Sequence, residues 1–143
     1  MELWEVVARE SIRDLVTRYN SNGDAGRFQQ VIELFAPNAV MQLHDRSYSG
    51  LDEIMTIFTG TRDTLRGGET PGYVRHYGAT HQIDLINETS ATGRLYFAVI
   101  SSVGLDHWGR YVDRYCEIDG HWRFAHRKVV VDGQSPSSLF PVV

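Results

Sequence analysis

The chain has 143 residues, which suits one domain, and 42% hydrophobic with 22% charged residues is ordinary for a globular protein. A formal net charge of −4 argues against nucleic-acid binding, because phosphate contacts need a basic surface. The single cysteine, Cys116, excludes an internal disulfide and a cysteine-based zinc site. We find no apolar run near the ~20 residues of a membrane span and no signal-peptide pattern, so we expect a cytoplasmic protein without a membrane partner.

Three stripes of apolar residues at helical spacing occupy the first part of the chain. They are Ala8, Ile12, Leu15, Val16 and Tyr19, then Phe28, Val31, Ile32 and Phe35, then Leu51, Ile54, Met55 and Phe58. The first predicted helix ends at 20–24, and Pro37 closes the second. Short strands are predicted at 39–43 and 46–49. The polar stretch 61–72, with three glycines and Pro71, is predicted to be a loop over a pocket mouth.

From Tyr73 onward the apolar period changes to two, which predicts strands at 73–86, 91–103, 109–118 and 121–131. Helices followed by consecutive antiparallel strands favour an α+β fold, with a curved, mostly antiparallel sheet wrapped around the N-terminal helices as a cone-shaped barrel. The mouth of such a cone can hold a small hydrophobic molecule. We expect residues 1–132 to form a single domain and 133–143 to form a C-terminal tail, which packs on a neighbour or closes the pocket.

Four side chains are candidates for chemistry, and each has a structural alternative. His76 has small neighbours on its strand face, which leaves room for a ligand, but it could equally be a hydrogen-bonded core histidine. Asp24 suits the N-cap of the second helix. Tyr19 ends an apolar stripe and could simply pack in the core, while Arg127 could be a solvated arginine. Spacing alone leaves these alternatives open.

The period of two also predicts which strand residues share a face. His76 and His81 are five residues apart, so a regular strand directs them to opposite faces, and a shared metal would need a bulge between them. The same parity places Phe124 and Arg127 on opposite faces of the last strand. Because His76 and His81 are expected on opposite faces, we expect no metal site.

Other side chains are candidate walls of a ligand pocket, with plain core filling as the alternative. They are Met41, Tyr48, Met55, Phe58, Tyr96, His107, Trp108 and Tyr115. His107 and Trp108 stand in a loop or at a strand start by this interpretation.

Several segments together resemble one known family. They are Arg9–Leu15 with Arg18-Tyr19 and Asp24, Leu34–Val40, Arg75-His76-Tyr77-Gly78, Gly109-Arg110-Tyr111, and Asp119–Phe124 with Arg127. Over residues 5–132 the chain resembles SnoaL-like proteins of the nuclear transport factor 2 superfamily, whose fold is cystatin-like. The resemblance therefore implies the same α+β cone that the order of elements favours.

Within that superfamily the pattern is most similar to elimination enzymes: scytalone dehydratase, bile acid 7α-dehydratase and hexachlorocyclohexane dehydrochlorinase. The resemblance implies a catalytic dyad of Asp24 and His76, assisted by Tyr19 and Arg127. It implies a lyase of the dehydratase type that needs no cofactor and acts on a steroid, terpenoid, polyketide or aromatic ketone. It also implies a homodimer or homotrimer. Alternatives on the same fold are a non-catalytic ligand-binding module, an isomerase, a cyclase or an epoxide hydrolase.

Overall fold

The structure, a computed structural model, describes residues 1–68 and 70–141. The helices are α1 (Leu3–Asp24), α2 (Phe28–Ile32) and α3 (Leu51–Arg66). The strands are β1 (Phe35–Leu43), β2 (Arg46–Ser49), β3 (Val74–Asn87), β4 (Ser90–Ser101), β5 (Gly104–Ile118) and β6 (His121–Gln134). Among the described helices, none has the length and apolar character needed to span a bilayer.

The strands form one sheet in the order β2-β1-β6-β5-β4-β3. The β1–β6 pair is parallel and the other pairs are antiparallel. The predicted α+β class with a curved, mostly antiparallel sheet is therefore confirmed. The cone does not close as a barrel, because β2 and β3 form the two edges of the sheet in the described part of the chain.

The apolar stripe of α1 is buried, as its helical spacing predicts. The helix ends at Asp24, within the predicted 20–24, and Gly26 with a φ of +77° ends the turn that follows. Asp24 therefore lies in the last turn of α1, and the N-cap of α2 is Arg27. The N-cap alternative for Asp24 is wrong, and its carboxylate is bonded to β3 instead.

Two other predicted boundaries shift, one to an earlier residue and one to a later residue. Helix α2 ends at Ile32, and Phe35 opens β1, where its ring packs against Phe124 of β6. Helix α3 runs through residues 61–66, which we predicted to be loop, because Leu65 packs against the core. Of that predicted loop, residues 67, 68 and 70–72 are non-helical, and Glu69 lies outside the described residues.

Two β-bulges change which side chains reach the concave face. In β3 the register with β4 shifts between Ala79 and Gln82, where Thr80 has a φ of +56°. In β6 the bulge makes Ala125 the extra residue, since Arg127 pairs with Asp113 of β5 while Phe124 pairs with Tyr115. Phe124 and Arg127 are consequently both buried on the same side. The parity prediction that separated them is wrong.

Candidate active site

Asp24 and His76 form a hydrogen-bonded pair where the end of α1 meets β3. The ring Nδ1 of His76 lies 2.6 Å from Asp24 Oδ1, and the backbone N–H of His76 donates to Asp24 Oδ2 at 2.8 Å. Both oxygens of one carboxylate thus bind one residue. Because an ionised carboxylate only accepts hydrogen bonds, Nδ1 carries the ring proton. The lone pair of the neutral imidazole is left on Nε2.

The dyad borders an internal cavity with two adjoining compartments of about 130 and 170 Å³. His76 and His107 line both compartments, together with Leu43, Thr61, Val74 and Val129. Tyr19, Asp24, Phe58, Phe97 and Tyr111 line the first, and His44 and Phe140 the second. On its other side the dyad faces an open groove of about 450 Å³. A larger groove of about 580 Å³ runs beside Trp122 and Arg123 and contains neither member of the dyad.

Tyr19 and Arg127 lie next to each other beneath this cavity. Arg127 is 0% exposed, and its guanidinium carbon lies 4.3 Å from the Tyr19 ring centroid and 3.8 Å from that of Tyr111. Burial raises the pKa of the Tyr19 hydroxyl, and the charge of Arg127 partly offsets this. Tyr19 therefore remains a protonated hydrogen-bond donor at neutral pH.

The charge of Arg127 is balanced by Asp113 of β5. Its Nε and Nη2 atoms donate to the two Asp113 carboxylate oxygens at 2.8 and 2.9 Å. Burial works to lower the pKa of Arg127, but Asp113 holds it above its usual value, so the pair stays ionised. The remaining nitrogen, Nη1, is buried without a hydrogen-bond partner among the described residues.

A chain of hydrogen bonds links this pair to a second histidine. The Tyr115 hydroxyl donates to Asp113 Oδ2 at 2.7 Å, and His81 Nε2 lies 3.0 Å from the same hydroxyl oxygen. The hydroxyl has one proton, and it donates that proton in the hydrogen bond to the Asp113 carboxylate. His81 Nε2 is therefore the donor in the bond to the Tyr115 oxygen. Burial lowers the pKa of His81. His81 thus buttresses the buried network, and after the β3 bulge it lines the same open groove as His76.

His107 on β5 is held in the same manner as His76. Its Nδ1 lies 2.7 Å from Oδ1 of Asp106, which is 0% exposed. Burial alone would raise the pKa of Asp106, but hydrogen bonds from the Leu139 N–H, Ser138, His107 and Ser101 lower it to about 2. Asp106 is therefore a carboxylate throughout the physiological pH range. Strand β5 begins at Gly104, so His107 and Trp108 lie within the strand, directly after a bulge at Asp106, and not in a loop.

The structure separates the candidate wall residues into three groups. Phe58 and His107 line the cavity. Met41 and Tyr115 are buried in the core, and Met55 and Tyr48 pack at its margin. Tyr96 and Trp108 are 58% and 38% exposed on the outer face of the sheet, because their strand positions alternate with cavity-facing ones.

Several cavity residues escaped the sequence analysis. Asn20 precedes Asp24 by one helical turn, and that i, i+4 spacing is the signal that could have found it. The Tyr111 hydroxyl donates to Asn20 Oδ1 at 3.5 Å, and the Tyr111 ring stacks on Phe97 with centroids 4.6 Å apart. Phe140 reaches the cavity from the C-terminal tail, the segment for which closure of the pocket was one of two expectations. In residues 1–68 and 70–141 no group of three or more His, Cys, Asp or Glu is arranged to hold a metal ion.

Comparison with known proteins gives a family for the chain. The family model described as "SnoaL-like domain" matches residues 4–128. A protein of Novosphingobium aromaticivorans assigned as a scytalone dehydratase superposes with a TM-score of 0.82 at 19% identity, over 94% of this chain and 91% of that one. A type 2 hexachlorocyclohexane dehydrochlorinase gives 0.79 at 14% identity, over 100% and 97%.

A third solved structure carries no activity in its description. It is a protein of unknown function with a cystatin-like fold from Nostoc punctiforme, with a TM-score of 0.76 and 23% identity over 91% of this chain and 92% of that one. At these identities the three likenesses establish the fold.

Proposed function

The chain belongs to the SnoaL-like domain family, and from that premise we propose that it is a lyase that removes water from a small hydrophobic β-hydroxy ketone. One observation carries the proposal: Asp24 clamps His76 through both its Nδ1 and its backbone N–H, at the wall of a cavity lined largely by apolar side chains. A fold alone does not define an activity, so the argument rests on this geometry.

His76 is the general base. The clamp fixes the neutral tautomer with its lone pair on Nε2, and Asp24 stabilises the imidazolium that forms once the proton is taken. A carbon next to a carbonyl supplies a proton that an imidazole can remove near neutral pH. The side chain of His76 is 24% exposed and that of Asp24 13%, so water competes little for either group.

Tyr19 stabilises the negative charge that develops on the carbonyl oxygen. It is a protonated donor at the cavity wall, and the fully buried Arg127 lies against its ring. The family resemblance suggests a direct role for the arginine. Because Arg127 lies beneath the Tyr19 and Tyr111 rings, we assign it an indirect role, in which its charge strengthens Tyr19 as a donor.

The cavity narrows the range of substrates. Compartments of about 130 and 170 Å³ lie at the lower end of the ~300–1,000 Å³ typical of ligand pockets, even when they are joined. Phe58, Phe97 and Tyr111 line the first compartment with aromatic surface. A substrate with one aromatic ring and a short ketone side chain fits these walls better than a four-ring steroid.

The first test measures turnover of single-ring β-hydroxy ketones, with 4-hydroxy-4-phenylbutan-2-one as the reference compound. The wild type is expected to release water and form the conjugated enone, seen by its ultraviolet absorbance and by mass spectrometry. His76→Gln is expected to lose at least about 100-fold in kcat, since it removes the base. His121→Gln, an exposed histidine on β6, is the control and should retain wild-type rates.

Asp24→Asn tests the clamp separately from the base. The backbone N–H of His76 will engage the amide oxygen, which turns the NH2 toward Nδ1 and forces the ring proton onto Nε2. We expect kcat to fall by about 10²–10⁴-fold with little change in KM. Binding of the probes to wild type and both variants without turnover by any of them would favour a ligand-binding module instead.

A further inference from the structure

A second histidine faces the cavity from two strands away. His76 of β3 pairs with Val99 of β4, and Val99 pairs with His107 of β5. Directly paired residues share one face of a sheet, and neighbouring strands lie ~4.8 Å apart, so the backbones of the two histidines are ~10 Å apart. Both imidazoles pack against the ring of Phe97, with centroids 6.4 and 6.0 Å from it. They flank the same space.

The two imidazoles are also held alike. Asp106 Oδ1 engages Nδ1 of His107 at 2.7 Å, as Asp24 Oδ1 engages Nδ1 of His76 at 2.6 Å. In each ring Nε2 is the nitrogen turned away from the carboxylate. The side chain of His107 is 15% exposed, and its ring meets Phe97 and Phe140 edge to face. Its surroundings are therefore largely apolar.

The Asp106 carboxylate is held by more hydrogen bonds than a carboxylate at the protein surface usually is. It is fully buried, and its carboxylate also accepts hydrogen bonds from Ser101 Oγ at 2.7 Å and the Leu139 N–H at 3.0 Å. A carboxylate so held fixes the orientation of the His107 ring through Nδ1 and leaves Nε2 on the far side of the ring.

We propose that His107 is the second catalytic residue of this site, a general acid that protonates the departing hydroxyl group, with Asp106 as its positioning residue. The inference rests on the proposed function and extends it from removal of the proton to departure of the leaving group. The site then carries two His–Asp pairs, two strands apart on one face of the sheet, one for each proton transfer.

The step balances without any co-reactant. The bond between the α-carbon and hydrogen breaks, and its proton goes to His76 Nε2. The electron pair becomes the new carbon–carbon double bond as the bond from the β-carbon to the hydroxyl oxygen breaks. That oxygen takes the proton from His107 Nε2 and leaves as water. His76 then returns its proton to solvent, and His107 regains one.

The test compares two leaving groups on one skeleton: 4-hydroxy-4-phenylbutan-2-one and its 4-chloro analogue, corrected for the uncatalysed rate. Hydroxide needs a proton to leave, whereas chloride leaves as a stable anion. His107→Gln is expected to lose about 100-fold or more in kcat on the hydroxy ketone and less than about fivefold on the chloro ketone. His121→Gln, at the exposed histidine of β6, is the control and should show no selective loss.

Each outcome has a distinct meaning. An equal loss on both substrates, or no loss on either, would overturn the assignment of His107 and leave the lyase proposal standing. Wild-type elimination of the chloro ketone alone would also overturn it, because no acid would then assist hydroxide. Failure of the wild type on both substrates would overturn the lyase proposal together with this inference. Thermal denaturation of each variant excludes loss of folding as the cause.

Discussion

The histidines of this fold differ in the chemical group to which their rings are hydrogen-bonded. His76 and His107 are hydrogen-bonded to carboxylates at 2.6 and 2.7 Å. His81 faces the Tyr115 hydroxyl at 3.0 Å, and that hydroxyl is committed as a donor to Asp113. A phenol oxygen offers no full negative charge to balance an imidazolium. The first two rings are suited to carrying protons, while His81 is suited to remaining neutral.

The pH dependence of stability should report the neutral state of His81. Burial lowers its folded pKa below the ordinary value of 6.5, and the charge of Arg127 adds to this. Protonation of His81 thus favours the unfolded chain. The contribution of neutral His81 to stability is complete above pH ~6.5 and is lost as the pH falls through the folded pKa. Urea denaturation should give a lower free energy of unfolding at pH 5.5 than at pH 7.5.

His81→Gln provides the comparison for that measurement. The glutamine amide can still donate to Tyr115, but it does not titrate, so the decline between pH 7.5 and 5.5 should be smaller than in the wild type. Burial also lowers the pKa of His126, whose contribution should persist in both proteins. Identical declines in the two proteins would contradict the role assigned to His81.

At the scale of elements, the β5–β6 pair carries two ion pairs in different surroundings. Asp113–Arg127 is fully buried, while the side chains of Arg110 and Asp132 are 44% and 40% exposed. Asp113→Asn leaves the guanidinium buried without its counter-charge, so we expect the free energy of unfolding to fall by about 3–5 kcal/mol. Asp132→Asn is the matched control and should change it by less than about 1 kcal/mol. Urea denaturation of both variants measures the difference, and equal effects would contradict it.

The same pair of strands explains which parts of the fold the sequence could predict. Long alternating stretches placed β3 to β6 to within a few residues, because apolar period and strand burial are local properties. The face of Arg127 could not be read from parity, since the extra Ala125 in the bulge reverses alternation and is visible only against the partner strand. The Asp24–His76 contact spans 52 residues and came from family resemblance, not from spacing. No local sequence pattern indicated the hydrogen bonds between Asp106 and the C-terminal tail.

On the scale of the whole molecule, the C-terminal tail closes an otherwise open cone. The sheet has free edges at β2 and β3, so the cavity mouth needs a separate cover. Ser138 Oγ and the Leu139 N–H donate to Asp106 at 2.5 and 3.0 Å and hold the tail in place. Phe140 then packs on His107, with ring centroids 5.8 Å apart. The tail thus covers its own chain's pocket in this structure, and the homo-oligomer stays a prediction.

Shortening the Phe140 side chain should therefore weaken ligand retention without disturbing the dyad. Phe140→Ala removes aromatic surface from the second compartment, and a loss of about 1.4 kcal/mol of contact raises the Kd about tenfold. The Kd of the enone product 4-phenylbut-3-en-2-one, titrated by NMR, measures this, with the exposed Ser137→Ala as control. Light scattering on both variants shows whether the mass changes. An unchanged Kd would mean that the tail does not wall the cavity in solution, whereas a changed mass would place Phe140 at a contact between copies of the chain.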